Sequence, residues 1–248
     1  MIALDVLEVV GPAVVAGLMI AFIHAPLGIE VLRRGIVFID LAVAQAAALG
    51  VVMVGLALEE PAWWMVQAAA LTCALAAAAL FRLVETRLPD QQEAIIGCAF
   101  VVMATLALLL LADRPHGGEE IQHLLSGQIL FVTWGEVAAF APIYGAILFL
   151  WLRLPAVRAG SGFYVLFALA VTSSVQMVGV YVVFASLILP ALAVIRLASR
   201  RLGAAWACSS ASVLLGVGLS VPFDLPTGPM LVMAYAAVTV AFRATIRI

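Results

Sequence analysis

Long apolar runs separated by short polar breaks set the pattern of this chain. Such runs cover residues 6–25, 35–58, 62–83, 93–112, 134–152, 202–222 and 229–246. Each is close to the ~20 residues that an α-helix needs to cross a bilayer. One further run, 162–198, is too long for a single crossing and predicts a break near Gly179. Within it, Pro190 has no N–H to complete a helical ladder. Carbonyls freed in this way survive at membrane depth only inside protein or beside water. The pattern predicts an all-α fold: one transmembrane domain over residues 1–248, a polytopic bundle of eight or nine helices with one broken helix near 179–190. The count depends on that break.

Composition sharpens this picture. Hydrophobic residues make up 66% of the chain and charged residues 10%, far below the ~25% charged residues of a soluble domain. A lipid bilayer is therefore the expected surroundings. The formal net charge of −2 argues against a nucleic-acid partner. All 12 basic residues are Arg. Nine crossings with the N-terminus outside put eleven of these on the inner side: Arg33, Arg34, Arg82, Arg87, Arg153, Arg158, Arg196, Arg200, Arg201, Arg243 and Arg247. Only Arg114 falls outside, a strong positive-inside bias. The outer loops then carry Glu59, Glu60, Asp113, Glu119, Glu120 and Asp224. Asp5 and Glu8 stand where a signal peptide has basic residues, so the first run reads as a span.

The candidate chemistry is sparse. Asp40 places a carboxylate in an otherwise apolar run. An intramembrane charge is costly unless it faces a bundle interior or a wet path. Gln45 follows five residues on, ~140° around the helix from Asp40, so the two share a face only loosely. Ala42, Ala44, Ala46, Ala47, Ala48 and Gly50 would let neighbouring helices approach closely. The most polar outer loop, 113–123, contains His116 and His123 among three acidic residues. Its spacing fits no closed zinc motif and reads first as a solvated turn. His24 reads as a hydrogen-bonded residue near the inner end of the first span, and Trp63 and Trp64 read as interface anchors. Cys73, Cys98 and Cys208 lie inside apolar runs without CxxC spacing and read as small core residues. No Walker, GxSxG, HExxH or dinucleotide motif occurs. The chain is thus expected not to be an enzyme, and ATP-driven transport would need another polypeptide for hydrolysis.

Several stretches, in order along the chain, resemble the permease subunit of zinc/manganese-type ABC importers, the third bacterial ABC-permease family. They are Ala25-Pro26-Leu27-Gly28 with Val31-Leu32-Arg33-Arg34, and Asp40 with Leu49-Gly50. Gln92-Glu93-Ala94-Ile95-Ile96-Gly97 and Leu124-Leu125-Ser126-Gly127 follow. The last are Val178-Gly179-Val180 through Ser186-Leu187-Ile188-Leu189-Pro190-Ala191, and Asp224-Leu225-Pro226-Thr227-Gly228-Pro229. The resemblance implies a permease of a bacterial inner membrane, paired with a second copy of itself. It also implies a cytoplasmic ATP-binding subunit, an extracytoplasmic metal-binding protein and no bound cofactor, the divalent metal being the substrate. Two departures stand out. The family's histidine four residues after the aspartate is absent, since position 44 is Ala and position 45 is Gln. The inner loop before the sixth span is short, residues 154–162.

The expected function is inward movement of a divalent metal, zinc or manganese, along a path touched by Asp40 and Gln45. Asp40 is the first candidate for a metal ligand, and His116 and His123 are outer alternatives. Gly179 and Pro190 are expected at the bend, packed against the second helix near the dimer axis. Asp224 and Gly228 are expected to shape an outer turn, with Asp224 bonding backbone N–H groups. A permease for a metal chelate, or a secondary transporter using Asp40 as ion carrier, is the alternative. An Asp40–Arg34 or Asp40–backbone contact would instead only fix the helix start.

Overall fold

The computed structural model describes residues 2–58, 60–112, 114, 125–127, 129–158, 160–197 and 199–245, with backbone only for 2–7 and 9. His116, His123, Glu59, Asp113, Glu119, Glu120 and Arg247 lie outside the described residues. The described chain forms eight helices long and apolar enough to cross a membrane. They are α1 (Ile2–Arg34), α2 (Ile39–Ala57), α3 (Trp63–Arg87), α4 (Gln92–Leu111), α5 (Trp134–Arg153), α6 (Ser161–Val194), α7 (Arg201–Ser220) and α8 (Thr227–Thr245). Short 3-10 turns sit at Pro89–Gln91, Ile129–Phe131 and Pro155–Arg158. The start of α5 has a full capping box. Thr133 Oγ1 accepts from the Glu136 N–H, and the Thr133 N–H donates to the Glu136 carboxylate.

The first helix is longer than its apolar pattern predicts. It passes Ala25 and ends only at Arg34, where Gly35 takes φ +70°. Pro26 lies inside it and removes the N–H that would have bonded the Phe22 carbonyl. The indole N–H of Trp206 on α7 donates to that carbonyl at 3.0 Å, so the proline is tolerated. His24 is consequently not near the inner end of a span. It stands ten residues before Arg34, ~15 Å along the helix, and is fully buried.

The long run 162–198 resolves into a hairpin. Gly179 inside α6 has φ 78° and ψ 164°, a region open essentially to glycine alone. Ser174 precedes it and Ser186 follows it, twelve residues apart, ~18 Å along a straight helix. Both hydroxyls nonetheless reach the same imidazole, at 3.0 Å and 2.6 Å from the two ring nitrogens of His24. The arms 161–178 and 180–194 therefore fold back on each other, and the eight helices make nine traverses. The bend abuts the backbone of Ser126 and Gly127, where a Cβ on Gly179 or Gly127 would collide with main chain. A Cβ on Gly228 at the start of α8 would meet the Ser126 carbonyl, so three glycines let three segments meet at this end.

The opposite end is tied by charge. Arg34 donates to Glu30 on its own helix, to Glu85 on α3 and to the Arg158 carbonyl in the 155–158 turn, each at 2.8 Å. Its guanidinium also lies 4.3 Å over the Phe163 ring. Arg158 in turn donates to the Trp151 and Leu152 carbonyls that end α5. The 155–158 turn is thus stapled to α1 and α5, and through Arg34 to α3. Between the two ends the helices touch through small residues. A Cβ on Gly50 of α2 would strike the Ala69 carbonyl of α3, and one on Gly28 of α1 the Leu187 carbonyl of α6.

Candidate functional site

Asp40 occupies the first turn of α2, where free N–H groups and the helix dipole favour negative charge. It is 1% exposed, and neither carboxylate oxygen has a well-aligned hydrogen-bond partner among the described residues, although the Asp40 and Leu41 backbone N–H groups of this first turn lie close to it. The alternative contact with Arg34 does not form, because Arg34 directs its donors to Glu30, Glu85 and Arg158. Glu93, at the start of α4, stands beside this turn. Its Oε1 accepts from the Phe38 N–H at 3.2 Å, two residues before Asp40, and its Oε2 is buried without a partner. Three buried carboxylate oxygens on two neighbouring helices thus lack a hydrogen-bond partner of good geometry among the described residues. Such a set of hard oxygen donors suits borderline and hard divalent ions better than thiophilic ones. Among the described residues no group of three or more His, Cys, Asp or Glu comes together.

Gln45 belongs to another face. It is 6% exposed and, with Leu41 and Ala48, lines a groove of about 780 Å³ between α2, α4, the second arm of α6 and α8. Phe100, Leu108, Tyr181, Phe184, Leu189 and Met233 are among its apolar lining residues. Asp40 is not on this wall. It shares its helical face with Ala44, i and i+4, and Ala44 is fully buried. The groove and the carboxylates are thus separate, and Asp40 and Gln45 do not meet.

The other expected positions fall as follows. Gly179 forms the bend, and Pro190 lies buried eleven residues on, inside the second arm. Gly228 allows the close approach of α8 to Ser126. Asp224 is exposed with φ 49°, and its side chain makes no hydrogen bond among the described residues. The outer turn is instead closed by main chain, Leu225 N–H to the Ser220 carbonyl at 3.0 Å, and by Thr227 Oγ1 donating to Ser220 Oγ at 3.0 Å. The expected bonds from Asp224 to backbone N–H groups do not form among the described residues, and Asp224 stands in the left-handed region, which aspartate tolerates. Trp63 and Trp64 are exposed at the start of α3, as anchors at a membrane boundary would be.

Two elements escaped the sequence. Glu93 is visible as an acidic residue opening an apolar run, but its meeting with Asp40 depends on the turn between α1 and α2. The second is a polar chain in the bundle centre. Tyr144 Oη lies 3.0 Å from Ser174 Oγ, and His24 bridges Ser174 to Ser186. Serines at helical spacing in an apolar run carry no signal that they face one histidine.

A family profile described as ABC 3 transport family matches residues 6–155 and 153–245. The chain is 30% identical over 170 residues to a Haemophilus influenzae protein named probable iron transport system membrane protein. That alignment covers 59% of this chain and 62% of the relative's length. Its fold superposes on a chain of PsaBC from Streptococcus pneumoniae in complex with Fab, with TM-score 0.75 at 19% identity, over 98% of this chain and 95% of that one. It also superposes on an inward-facing structure assigned to a metal-chelate type ABC transporter, with TM-score 0.70 at 14% identity, over 94% and 85% of the two chains.

Proposed function

This chain belongs to the ABC 3 transport family, and from that premise we propose that it is the permease of an importer for divalent metal ions. The observation that carries the reading is the buried Asp40 carboxylate, with no side-chain partner, near Glu93 at one end of the bundle. Burying such a group without a partner is costly. A passing divalent cation offsets that cost, since it is the largest local charge in any site it enters. A site of few ligands also releases its ion, as a transport path requires. The names of the H. influenzae relative and of the metal-chelate type structure add support for a metal-bearing substrate. Oxygen donors and the lack of histidine at position 44 favour manganese or iron(II) over zinc within this reading.

The chain has no ATP-binding motif, so hydrolysis would fall to a cytoplasmic partner. The stapled 155–158 turn, with the arginines at that end, offers such a partner a firm surface. The apolar groove lined by Gln45 fits a second copy of the chain, and an extracytoplasmic metal-binding protein would deliver the ion at the Gly127–Gly179–Gly228 end. Reconstitution with the partner ATPase, followed by metal-stimulated hydrolysis and uptake for zinc, manganese and iron(II), tests the reading. Stimulation by at least one of these ions is expected. Hydrolysis indifferent to all three, with uptake of none, rules the metal reading out.

A further inference from the structure

The buried histidine that joins the two arms of α6 has a proton inventory that does not close symmetrically. Ser186 Oγ is placed to donate to the Val183 carbonyl at 2.9 Å, and Ser174 Oγ to the Ala170 carbonyl at 2.7 Å. Each hydroxyl has one hydrogen, and a neutral imidazole has one N–H and one bare nitrogen. His24 is fully buried, and among the described residues its ring nitrogens hydrogen-bond these two hydroxyls. If both serines gave their hydrogens to their own carbonyls, the bare nitrogen would face an oxygen with no proton between them. So only one serine at a time bonds its own helix. With the proton on Nδ1, the ring donates to Ser186, Ser186 donates to Val183, and Ser174 turns its hydroxyl to Nε2. With the proton on Nε2, the roles of the two arms exchange. Tyr144 Oη, 3.0 Å from Ser174, can only donate to it in either case, because the one hydrogen of Ser174 is already used.

The two arms are not equivalent. Pro190 cannot donate to the carbonyl four residues before it, which is that of Ser186. The second arm is therefore weakest at the residue that touches His24. A serine bonding the carbonyl one turn back also bends its helix. This same arm presents Val180, Tyr181, Phe184, Ala185 and Leu189 to the large groove. The first arm is tied instead to α5 through Tyr144, to α3 through Gln67 donating to Gln176, and to α1 through Arg34 over the Phe163 ring.

We propose that His24 is a positioning residue for transport: its tautomer sets which arm of the α6 hairpin is hydrogen-bonded to itself, and so the bend of the arm that walls the groove. This rests on the permease reading for its consequence, though not for its chemistry. Nitrogen-15 NMR of the histidine-labelled permease with its ATPase in nanodiscs reads the tautomer directly. Two predominant tautomer populations are expected, with a ratio that changes between the nucleotide-free complex and one trapped with a non-hydrolysable ATP analogue. Ser186→Ala should lock the proton on Nε2 and Ser174→Ala on Nδ1, and each lock should cut uptake per ATP hydrolysed by about tenfold or more. His24→Asn, which keeps one donor and one acceptor, should retain more coupling than His24→Phe. An unchanged tautomer ratio between the two states, or wild-type coupling in both locked variants, overturns the proposal. If wild type takes up none of zinc, manganese or iron(II), the metal reading falls while the tautomer measurement still decides this one.

Discussion

At the residue scale, the deciding feature is which way a side chain points from a helix whose ends are already fixed. Asp40 and Gln45 lie five residues apart on α2, yet one is sealed beside Glu93 and the other walls a groove. The imidazole of the wider family therefore belongs with Asp40, at position 44, and not at 45. We expect Asp40→Asn to abolish metal-dependent uptake while the protein stays folded. Metal uptake and size-exclusion profiles read together check this, and normal uptake in Asp40→Asn would end the ligand role. Ala44→His should move ion preference toward zinc, because imidazole is the better ligand for that ion. Gln45→His should leave the preference unchanged. Ala44 is fully buried, so the larger ring should also cost about 1–3 kcal/mol through overpacking, visible as a lower melting temperature. A zinc shift in Gln45→His instead would mean that the ion travels along the groove.

At the element scale, α6 is decided by two residues of opposite character. Gly179 takes a backbone conformation in which any Cβ is strained by about 1–3 kcal/mol, and it presses on the Gly127 main chain as well. Gly179→Ala should therefore lower thermal stability and yield of folded protein, measured by detergent-solubilised unfolding. Wild-type stability in this variant would mean that the bend is made elsewhere. Pro190 acts in the other sense. Pro190→Ala restores an N–H to the Ser186 carbonyl, stiffens the second arm, and should reduce uptake more than it changes expression. An effect on abundance alone would leave the proline a packing role.

At the scale of the whole molecule, the two ends are built by different physics. One end is held by an ion-pair hub, Arg34 with Glu30 and Glu85, where Arg34 is 13% exposed and Glu30 is 9% exposed. Removing one partner of such a buried set leaves charges uncompensated, at a cost of about 3 kcal/mol or more. Arg34→Met should thus unfold at clearly lower temperature than Arg33→Met, whose guanidinium is 70% exposed. The other end is held by glycine contacts that need no charge at all. If the arginine-rich end faces the cytoplasm, cysteines introduced at Ala156 and Glu60, in a background lacking Cys98, should differ in access to an impermeant thiol reagent. Only the Glu60→Cys protein should react in intact cells. Equal labelling of both would overturn the orientation.

The fold class, the approximate places of the helices and the break at Gly179 are legible in the residues alone, because each follows from hydropathy over ~20 residues or from the local demands of Gly and Pro. The cost of Asp40 is legible for the same local reason. The end of α1 is not legible there, since a proline within an apolar run signals a stop unless a distant donor such as Trp206 replaces the lost bond. Nor is the closure of the turn at Asp224, which is made by main chain and by the Thr227–Ser220 hydroxyl pair. Every pairing across helices depends on the packed bundle: Glu93 near Asp40, Arg34 on the 155–158 turn, and one imidazole between two serines of a folded-back helix. Apolar residues favour burial without naming a partner. Which polar atoms meet inside the bundle is fixed by helix rotation and register, and these depend on all the packed faces at once.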